Sequence, residues 1–459
     1  MAAIPTSSDI SPGTVALSEY LSAVLDRPLP ADVERKTKHH ILDTLAAIVS
    51  GSRLRAGRLA ASYVADAGGL PEAIVMGTAA IVPVAQAALA NGMAAHADET
   101  DDSHLAGRFH PGCGILPAAF AIAEKESRSG ADFIRAVAAG YDIGARVTMA
   151  LGFDRPDRAR HSTHSLGPAF GAAAAAAALL RLDPTQVRHV MSYAAQQASG
   201  IPFWQRDREH VEKAFDFGGM GARNGVLSAT MVKAGFSAVD DPFAGKHNLF
   251  TAFGDDPHPE RLTADLGIRF EIMQATIKKW CVGSPIQAVL DATVNLVETH
   301  ALRADRVERM TITMPDDRIH IVDNRTMPDV CVQHLSAIAL LDGTVTFATA
   351  HDIGRMSEPA VLALRRCMEL VPSPELTTAI PARQAIVEIV TTNGDRLRHH
   401  ARAVRGTPDN PMQPHEIESK ARDLVLPIMG AERTEHLLIA VRELETLPDL
   451  SELRDLLRA

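Results

Sequence analysis

Small residues recur three or four positions apart through the first 240 or so residues, and this spacing constrains the fold more than any other feature. Such a repeat lies along one face of a helix, and alanine or glycine on that face lets two helices approach closely. The pattern is clear in segments 130–152, 166–184 and 218–236. Aromatic residues make up only 4% of the chain, which is low for a β-sandwich core. We therefore predict a helix bundle with a core of Ala, Gly and Leu.

Segment 33–51 shows the same period with larger side chains. Ile41, Leu45 and Ile48 fall on one stripe of a helix, and Gly51 is a typical stop. This segment is predicted to be a helix with its stripe facing the core.

The pattern changes near residue 270, where strand-like alternation begins. Segments 306–316 and 383–404 alternate apolar and polar residues, and the second contains Asn-Gly at 393–394, a pair typical of hairpin turns. Helical segments lie between the two strands, at 331–343 and 357–371.

These changes predict the domain organisation, because 459 residues exceed one ordinary core. The predicted fold class is mainly α. A large all-helical domain is expected from residues 1–268 and 405–459, with a smaller α+β domain at 269–404.

Composition excludes several classes of partner. Apolar residues are 46% and charged residues 22%, as in ordinary globular proteins. A net charge of −10 without basic runs argues against nucleic-acid binding. The longest Ala-rich stretches are about fourteen residues, too short to cross a bilayer. Four cysteines with no CxxC pattern suggest a reducing, cytoplasmic location.

A dense polar stretch, HADETDDSH, occupies residues 96–104 between two Ala-rich helical segments. His96, Asp98, Asp101 and His104 could supply nitrogen and oxygen ligands to a metal. The spacing matches neither HExxH nor a calcium loop, so we expect no metal. A solvated loop that caps the next helix is the plainer alternative.

The next residues, RFHPGCG, favour acid–base chemistry. His-Pro-Gly holds His110 on a rigid bend before the helical segment that follows. The N-terminus of that helix is expected to offer free N–H groups to a substrate carboxylate.

Two further clusters have a similar design. In segment 160–173, His161 and His164 precede a glycine-flanked Ala-rich helix, and in segment 209–225 Lys213 precedes a glycine-rich one. Each taken alone is more typical of a cap or a surface lysine. Together they suggest a shared pocket for anions.

The order of these motifs resembles the MmgE/PrpD family, which includes 2-methylcitrate dehydratase, cis-aconitate decarboxylase and iminodisuccinate epimerase. The resemblance runs from ILDTLAAIVSG through NGMAAHADETDDSH, GYDIGARV, HSTHSLGPAFG and EKAFDFGGMGARNG to SPIQAVLDA and GTPDNPM. It implies a helical domain built from both chain ends, an α+β lid, a homodimer, and a carboxylate substrate handled without cofactor or metal.

The resemblance also implies site residues. Family positions that hold a threonine, a histidine and a lysine fall on Ser103, His110 and Lys213. A family aspartate falls on Glu99 by direct count, with Asp98 beside it.

Two departures from the cis-aconitate decarboxylases concern the predicted lid. A family histidine is replaced by Ile286, and a pocket tyrosine has no counterpart, with Asp316, Arg318 or His320 nearby instead. These changes make cis-aconitate itself an unexpected substrate.

The shared family step forms or quenches a carbanion next to a carboxylate, which needs a base and stabilisation of the developing charge. Histidines titrate near neutral pH and suit the proton transfer. Lys213 could hold a substrate carboxylate, with Arg146 or Arg223 as a second cation beside it. The predicted catalytic residues are His110, Ser103, Glu99, Asp102, His164, Lys213 and Tyr141. The predicted substrate-binding residues are Lys213, Arg146, His104 and His320.

Three functions remain open at this point. A dehydratase resembling 2-methylcitrate dehydratase is favoured, and an epimerase resembling the iminodisuccinate enzyme is the alternative. A non-catalytic dimeric binding protein on the same fold is the third possibility, against which the retained Ser103, His110 and Lys213 argue.

Overall fold

The computed structural model describes residues 10–153 and 161–459, which form two compact units. The first unit contains the chain up to Ala97, then Asp101–Ala275 and Leu424–Ala459. The second contains Asp98–Thr100 and Thr276–Asp423. The independent domains predicted at 1–268 with 405–459 and at 269–404 stay a prediction.

The first unit is built almost entirely of helices, as the small-residue repeats predict. Its helices are α1 Pro12–Ala23, α2 Ala31–Gly51, α3 Arg55–Ala67, α4 Val84–Ala95, α5 Gly112–Lys125, α6 Gly130–Ala150, α7 Thr163–Leu179, α8 Pro184–Gln196, α9 Val211–Ala214, α10 Met220–Lys233 and α11 Leu249–Phe253. A π-helical turn, Phe215–Gly219, joins α9 to α10. Its short strands are β1 Ala73–Ile74, β2 Ile81–Val82 and β3 Ser103–His104, and β4 Ala275–Thr276 lies at the unit boundary.

Close backbone contact between α6 and α7 confirms the predicted Ala/Gly/Leu bundle. A Cβ placed on Gly144 would lie 2.6 Å from the carbonyl oxygen of Gly167. A Cβ on Gly171 would lie 2.6 Å from the carbonyl oxygen of Gly140. Glycine is needed here because no side chain fits between the two backbones.

Helix α2 also forms as predicted. Its apolar stripe, with Ile41, Leu45 and Ile48, is completely buried, and the helix ends at Gly51. The described part of the 160–173 segment begins at His161, and α7 starts two residues later.

The second unit is an α+β structure. Its elements are α12 Gln287–His300, β5 Val307–Pro315, α13 Asp316–Val322, α14 Val332–Asp342, α15 Phe347–His351, α16 Pro359–Arg366, β6 Met368–Ser373, α17 Pro374–Thr378, β7 Ala385–Thr391 and β8 Arg396–Ala401. The strands form one sheet in the order β6-β5-β7-β8. Strand β5 is parallel to β6 and antiparallel to β7, which forms a hairpin with β8. The predicted strands and the turn at 393–394 are confirmed.

One helix prediction was wrong in its second half. The predicted helix 357–371 contains α16 only as far as Arg366, and residues 368–373 form strand β6. Pairing with the buried strand β5, in register from Met310–Met368 onward, satisfies backbone groups that a longer helix would satisfy internally.

The chain ends in helices α18 Pro414–Arg442 and α19 Ser451–Leu457. Helix α18 is interrupted at Gly430, whose φ of 76° is non-helical. Short 3-10 turns complete the fold, at Val24–Asp26, Phe203–Gln205, Pro259–Leu262, Glu271–Gln274, Ser284–Ile286, Ala304–Arg306, Pro328–Val330, Ile353–Ser357 and Leu444–Thr446. None of the helices in the described ranges is long and apolar enough to span a bilayer.

The α6–α7 contact gives a stability prediction. Gly144→Ala should lower the free energy of unfolding by about 1–3 kcal/mol, because the added methyl group overlaps a backbone carbonyl that cannot rotate away. The measurement is urea unfolding followed by circular dichroism. Gly13→Ala is the matched control, since nothing lies within 4 Å of its Cβ position in α1. Equal stability of the two variants would contradict the packing argument.

Candidate functional site

A buried polar loop joins α4 to α5 and carries most of the predicted site. The loop is folded back on itself by two backbone hydrogen bonds between His104 and Phe109, from N to O at 2.8 and 3.4 Å. Arg108 takes a left-handed conformation, φ 53°, to close the turn. This turn brings His110 back beside Asp101.

Asp101 lies between two histidines and is completely buried. His96 donates from Nδ1 to Oδ2 at 2.9 Å, and His110 donates from Nδ1 to Oδ1 at 3.0 Å. Burial raises the pKa of Asp101, but the charges and hydrogen bonds of His110 and His96 outweigh it and hold this pKa well below its usual value. Asp101 is therefore a carboxylate that orients two imidazole rings.

Asp102 is the centre of a second buried network. His40 on α2 contacts its Oδ2 through Nδ1 at 2.6 Å, and Tyr141 on α6 donates its hydroxyl to the same oxygen at 2.6 Å. Burial, followed by the charge of Asp102, raises the pKa of Tyr141 well above its usual value. Tyr141 is thus a neutral phenol that donates to Asp102.

The same aspartate changes the role predicted for the start of α5. The backbone N–H of Gly112, the first residue of α5, donates to Asp102 Oδ1 at 2.9 Å. One of the N–H groups expected to be open to a substrate carboxylate is thus occupied by a carboxylate of the protein itself.

An aromatic platform lies under the histidines. The Phe217 ring stacks on His164 at 3.9 Å between centroids and on His96 at 4.3 Å. The rings of His110 and His164 lie 5.5 Å apart. Two titratable rings, one from the α4–α5 loop and one from the start of α7, are therefore side by side, as the sequence predicts.

Phe217 is held in place by the π-helical turn and by its neighbour Asp216. Ser162, at the start of α7, donates to Asp216 Oδ2 at 2.6 Å. Burial raises the pKa of Asp216 to about 6, against the hydrogen bonds of Ser162 and Ser165. This hydrogen bond connects the start of α7, which contains His164, to the π-helical turn that contains Phe217.

Lys213 reaches the same platform from α9. Its Nζ lies 5.0 Å from the Phe217 ring centroid and 5.6 Å from the Trp204 ring. The residue before α9, His210, has a left-handed conformation with φ 57°. The Lys213 side chain therefore makes cation–π contacts with both rings.

Ser103 lies in β3 and is 5% exposed, next to the two aspartates in sequence. The first unit therefore contains six of the predicted catalytic residues. His110, His164 and Lys213 meet around the Phe217 ring, and Asp102 is hydrogen bonded to Tyr141.

Two predicted substrate-binding residues have structural contacts instead. Arg146 is completely buried, pairs with Asp142 at 3.0 Å, and donates to the carbonyls of Ala264 and Arg269 at 2.6 and 2.9 Å. A guanidinium engaged in this way stabilises the segment that follows α11.

His104 is similarly engaged. It accepts a hydrogen bond from Gly107 N at Nδ1, and its Nε2 lies 3.3 Å from the Glu271 carboxylate. These contacts favour a role in shaping the loop.

Glu99 belongs to the second unit, with Asp98 and Thr100. Lys278 donates to the Glu99 carbonyl at 2.7 Å and lies 3.6 Å from its carboxylate. Lys420 donates to the Thr100 carbonyl at 2.9 Å. Glu99 and Thr100 are thus anchored by lysine side chains of this unit.

Asp98 is the third of these anchored residues. His351 on α15 lies 2.8 Å from its Oδ2, and Thr100 donates to it through backbone and hydroxyl. Burial lowers the pKa of His351, but Asp98 raises it more, so that it reaches about 9. The pair is therefore ionic at neutral pH.

The remaining residues named for the second unit differ in burial. Ile286 is completely buried at the start of α12. Asp316 and His320 are exposed on α13, and Arg318 is half-buried there.

One cluster of possible metal ligands lies within the first unit. His96, Asp101 and Cys113 bring possible ligand atoms within 4.8 Å of one another. Burial and the charges of both aspartates raise the pKa of the Cys113 thiol well above its usual value, which disfavours the thiolate form in this cluster. Its sulfur donates to the carbonyls of His110 and Phe217.

Sequence reasoning did not single out His40 or Lys278, and it left loop capping and catalysis equally open for Asp101. His40 lies 62 residues from Asp102, so only the fold pairs them. The density of HADETDDSH, with a histidine at each end, was the available clue for Asp101.

Two protein-family models match successive parts of the chain. Residues 15–262 match the model of the MmgE/PrpD N-terminal domain, and residues 280–446 match that of the MmgE/PrpD C-terminal domain. Cis-aconitate decarboxylase-like protein oryM of Aspergillus oryzae is 28% identical over 476 residues, covering 96% of each chain. Human cis-aconitate decarboxylase is 25% identical over 452 residues, covering 93% of this chain and 90% of the relative. The Aspergillus terreus enzyme is 24% identical, covering 97% and 95%.

The His351–Asp98 pair predicts a pH dependence of stability. Because the folded pKa of about 9 exceeds the unfolded value near ~6.5, its stabilisation is complete below pH ~6.5 and is lost as pH rises to about 9. His351→Gln should remove up to about 3 kcal/mol at pH ~6 and flatten this window in urea unfolding. Asp98→Asn should flatten it equally. A wild-type slope retained in both variants would contradict the assignment.

Segment 96–104 has no metal-binding motif, and from this we predict metal independence. Dialysis against EDTA should leave the melting temperature unchanged, and elemental analysis of the purified protein should find well below one metal per chain. A stoichiometric metal that depends on Cys113, lost in Cys113→Ser, would overturn this expectation.

Proposed function

Because the two matched models cover most of the chain, it belongs to the MmgE/PrpD family, and we propose that it is a lyase acting on a small di- or tricarboxylate. The proposed reaction removes the proton α to a carboxylate and expels a β-hydroxyl group as water. The observation that carries this proposal is the Asp101-oriented His110 beside a second histidine, His164.

His110 is the proposed base. Because Asp101 is a carboxylate, the neutral form of His110 carries its hydrogen on Nδ1, which leaves the lone pair on Nε2 to accept a proton. The imidazolium that forms is stabilised by the adjacent carboxylate, as a base in a low-dielectric site requires.

His164 is the proposed acid. Its ring is fixed by stacking on Phe217, and it lies 5.5 Å from the ring of His110. In the proposed step, His110 takes the α-proton, the electron pair forms the C=C bond, and the C–O bond breaks. A proton from His164 leaves with the hydroxyl as water, so the reaction has no net redox change.

Lys213 is the proposed partner of a substrate carboxylate. Its ammonium lies over the same ring that carries the histidines. A cation here would stabilise the charge that develops on the carboxylate as the α-proton leaves. Ser103 is a proposed hydrogen-bond partner in this pocket. Homodimer formation, a cytoplasmic location and independence of cofactors remain predictions from the sequence.

Decarboxylation is the second candidate, because the named relatives that align over nearly the full chain are cis-aconitate decarboxylases. Loss of CO2 would form a similar carbanion, which His110 or His164 would protonate. The two candidates therefore share the charge stabilisation and differ in the leaving group.

The shared step gives a direct prediction. Incubated in D2O with a panel of citrate-like and dicarboxylic acids, the protein should exchange an α-proton of its substrate, measured by NMR. His110→Asn should lower the rate at least about 100-fold, because the base is lost. Lys213→Ala should also lower it, through weaker binding of the anion. His189→Asn on α8, whose histidine pairs with Asp240, is the matched control and should match wild type.

The products distinguish the candidates. A conjugated alkene with water loss indicates the dehydratase, and release of CO2 indicates the decarboxylase. Deuterium uptake alone indicates an epimerase. No exchange and no product across the panel would contradict a lyase of this substrate class.

A further inference from the structure

Asp101 is shared almost equally by two imidazole rings. Its two oxygens accept from His96 Nδ1 at 2.9 Å and from His110 Nδ1 at 3.0 Å. The two rings lie 4.9 Å apart in an edge-on arrangement. The site therefore has one more buried histidine than the proton transfer above requires.

We propose that His96 is a positioning residue, which shares the carboxylate of Asp101 with His110 and thereby sets how tightly His110 holds its proton. This inference rests on the proposed function, since it concerns the base of the proposed reaction. It adds a residue that neither the sequence motifs nor the comparisons assign.

The hydrogen-bond chemistry supports this role. A carboxylate has no hydrogen to give, so each ring must present an N–H at Nδ1. Both rings therefore adopt the orientation that turns Nε2 away from Asp101. The hydrogen bond from His96 engages part of the negative charge of Asp101. This weakens the attraction of Asp101 for a proton on His110.

His96 is well placed to do this without taking part in the reaction. It is completely buried at the C-terminus of α4, and its ring is stacked on Phe217. Its Nε2 has no hydrogen-bond partner among the described residues. Among the described residues, the hydrogen bond of the His96 ring is therefore made to Asp101, the carboxylate that also orients the base.

Other titratable groups lie around the two rings, and the test has to separate them. Asp101, Cys113 and His164 contact or face His110, whereas His210 lies 5.2 Å from His96 between ring centroids. Asp102 is in the same polar loop, and Lys213 lies over the Phe217 ring. Because a His96 substitution also changes the surroundings of His210, only a change that His96→Asn reverses reports the shared carboxylate.

The test compares two substitutions of similar size. His96→Leu removes the donor and keeps an apolar contact with Phe217, whereas His96→Asn keeps an N–H close to the position of Nδ1. In His96→Leu, Asp101 loses one of its two histidine donors and attracts the proton of His110 more strongly, so the acidic limb of the pH profile of kcat/KM should move up by about one pH unit. His96→Asn should restore the wild-type limb. A residue that serves only packing would change the amplitude of both profiles and leave the limb in place.

A second measurement needs no substrate, so it separates this inference from the proposed function. NMR titration of isotope-labelled histidine follows the imidazole of His110, assigned by the signal that disappears in His110→Asn. Its midpoint should rise in His96→Leu and stay near wild type in His96→Asn. An unchanged midpoint in His96→Leu, or an equal rise in both variants, would overturn the inference even if the lyase reaction is found.

Asp101→Asn tests the same link if His96→Leu does not fold. Loss of the charge should lower the His110 midpoint, opposite in sign to the effect of His96→Leu. A midpoint that does not fall would contradict the shared-carboxylate arrangement. If the titration behaves as expected and no substrate is turned over, the arrangement stands and the proposed reaction fails.

Discussion

Two adjacent buried carboxylates, Asp101 and Asp102, are the constraint on which the rest of the helical unit depends. Burying an ionised carboxylate costs several kcal/mol unless donors surround it. The donors to these two side chains come from α2, α6, the end of α4 and the start of α5, through His40, Tyr141, His96 and the N–H of the first α5 residue. Those helices must therefore keep their places for the two side chains to keep their hydrogen-bond donors.

Small residues make this arrangement possible. A Cβ on Gly112 would lie 2.4 Å from the Thr44 hydroxyl and 2.9 Å from Asp102 Oδ1. The helix start can approach the carboxylate only because no side chain is there. The glycine and alanine repeats thus serve both purposes. They let helices pack closely, and they bring backbone donors to groups that water cannot reach.

Much of the fold was predictable because periodicity is a local property. The helix at 33–51, the alternation in 306–316 and the hairpin in 383–404 each depend on residues close in sequence. Strand β6 was missed for the opposite reason. Residues 368–373 follow directly on the short helix α16, and only pairing with β5, some sixty positions earlier, makes them a strand. The histidines and the lysine that precede glycine-rich helices could also be recognised in the sequence, but the side chains that they contact could not.

Local patterns in the chain are enough to predict the helical class, the α+β character of residues beyond 270, and a set of acid–base side chains that includes His110, His164 and Lys213. The role of each carboxylate depends on contacts that form only in the folded protein. Asp101 orients two imidazoles, Asp102 caps α5 and holds Tyr141, and Glu99 lies with Lys278 in the other unit. Four acidic residues within five positions look alike in sequence. They differ because hydrogen-bond donors from distant segments reach each of them differently, and no local pattern records that choice.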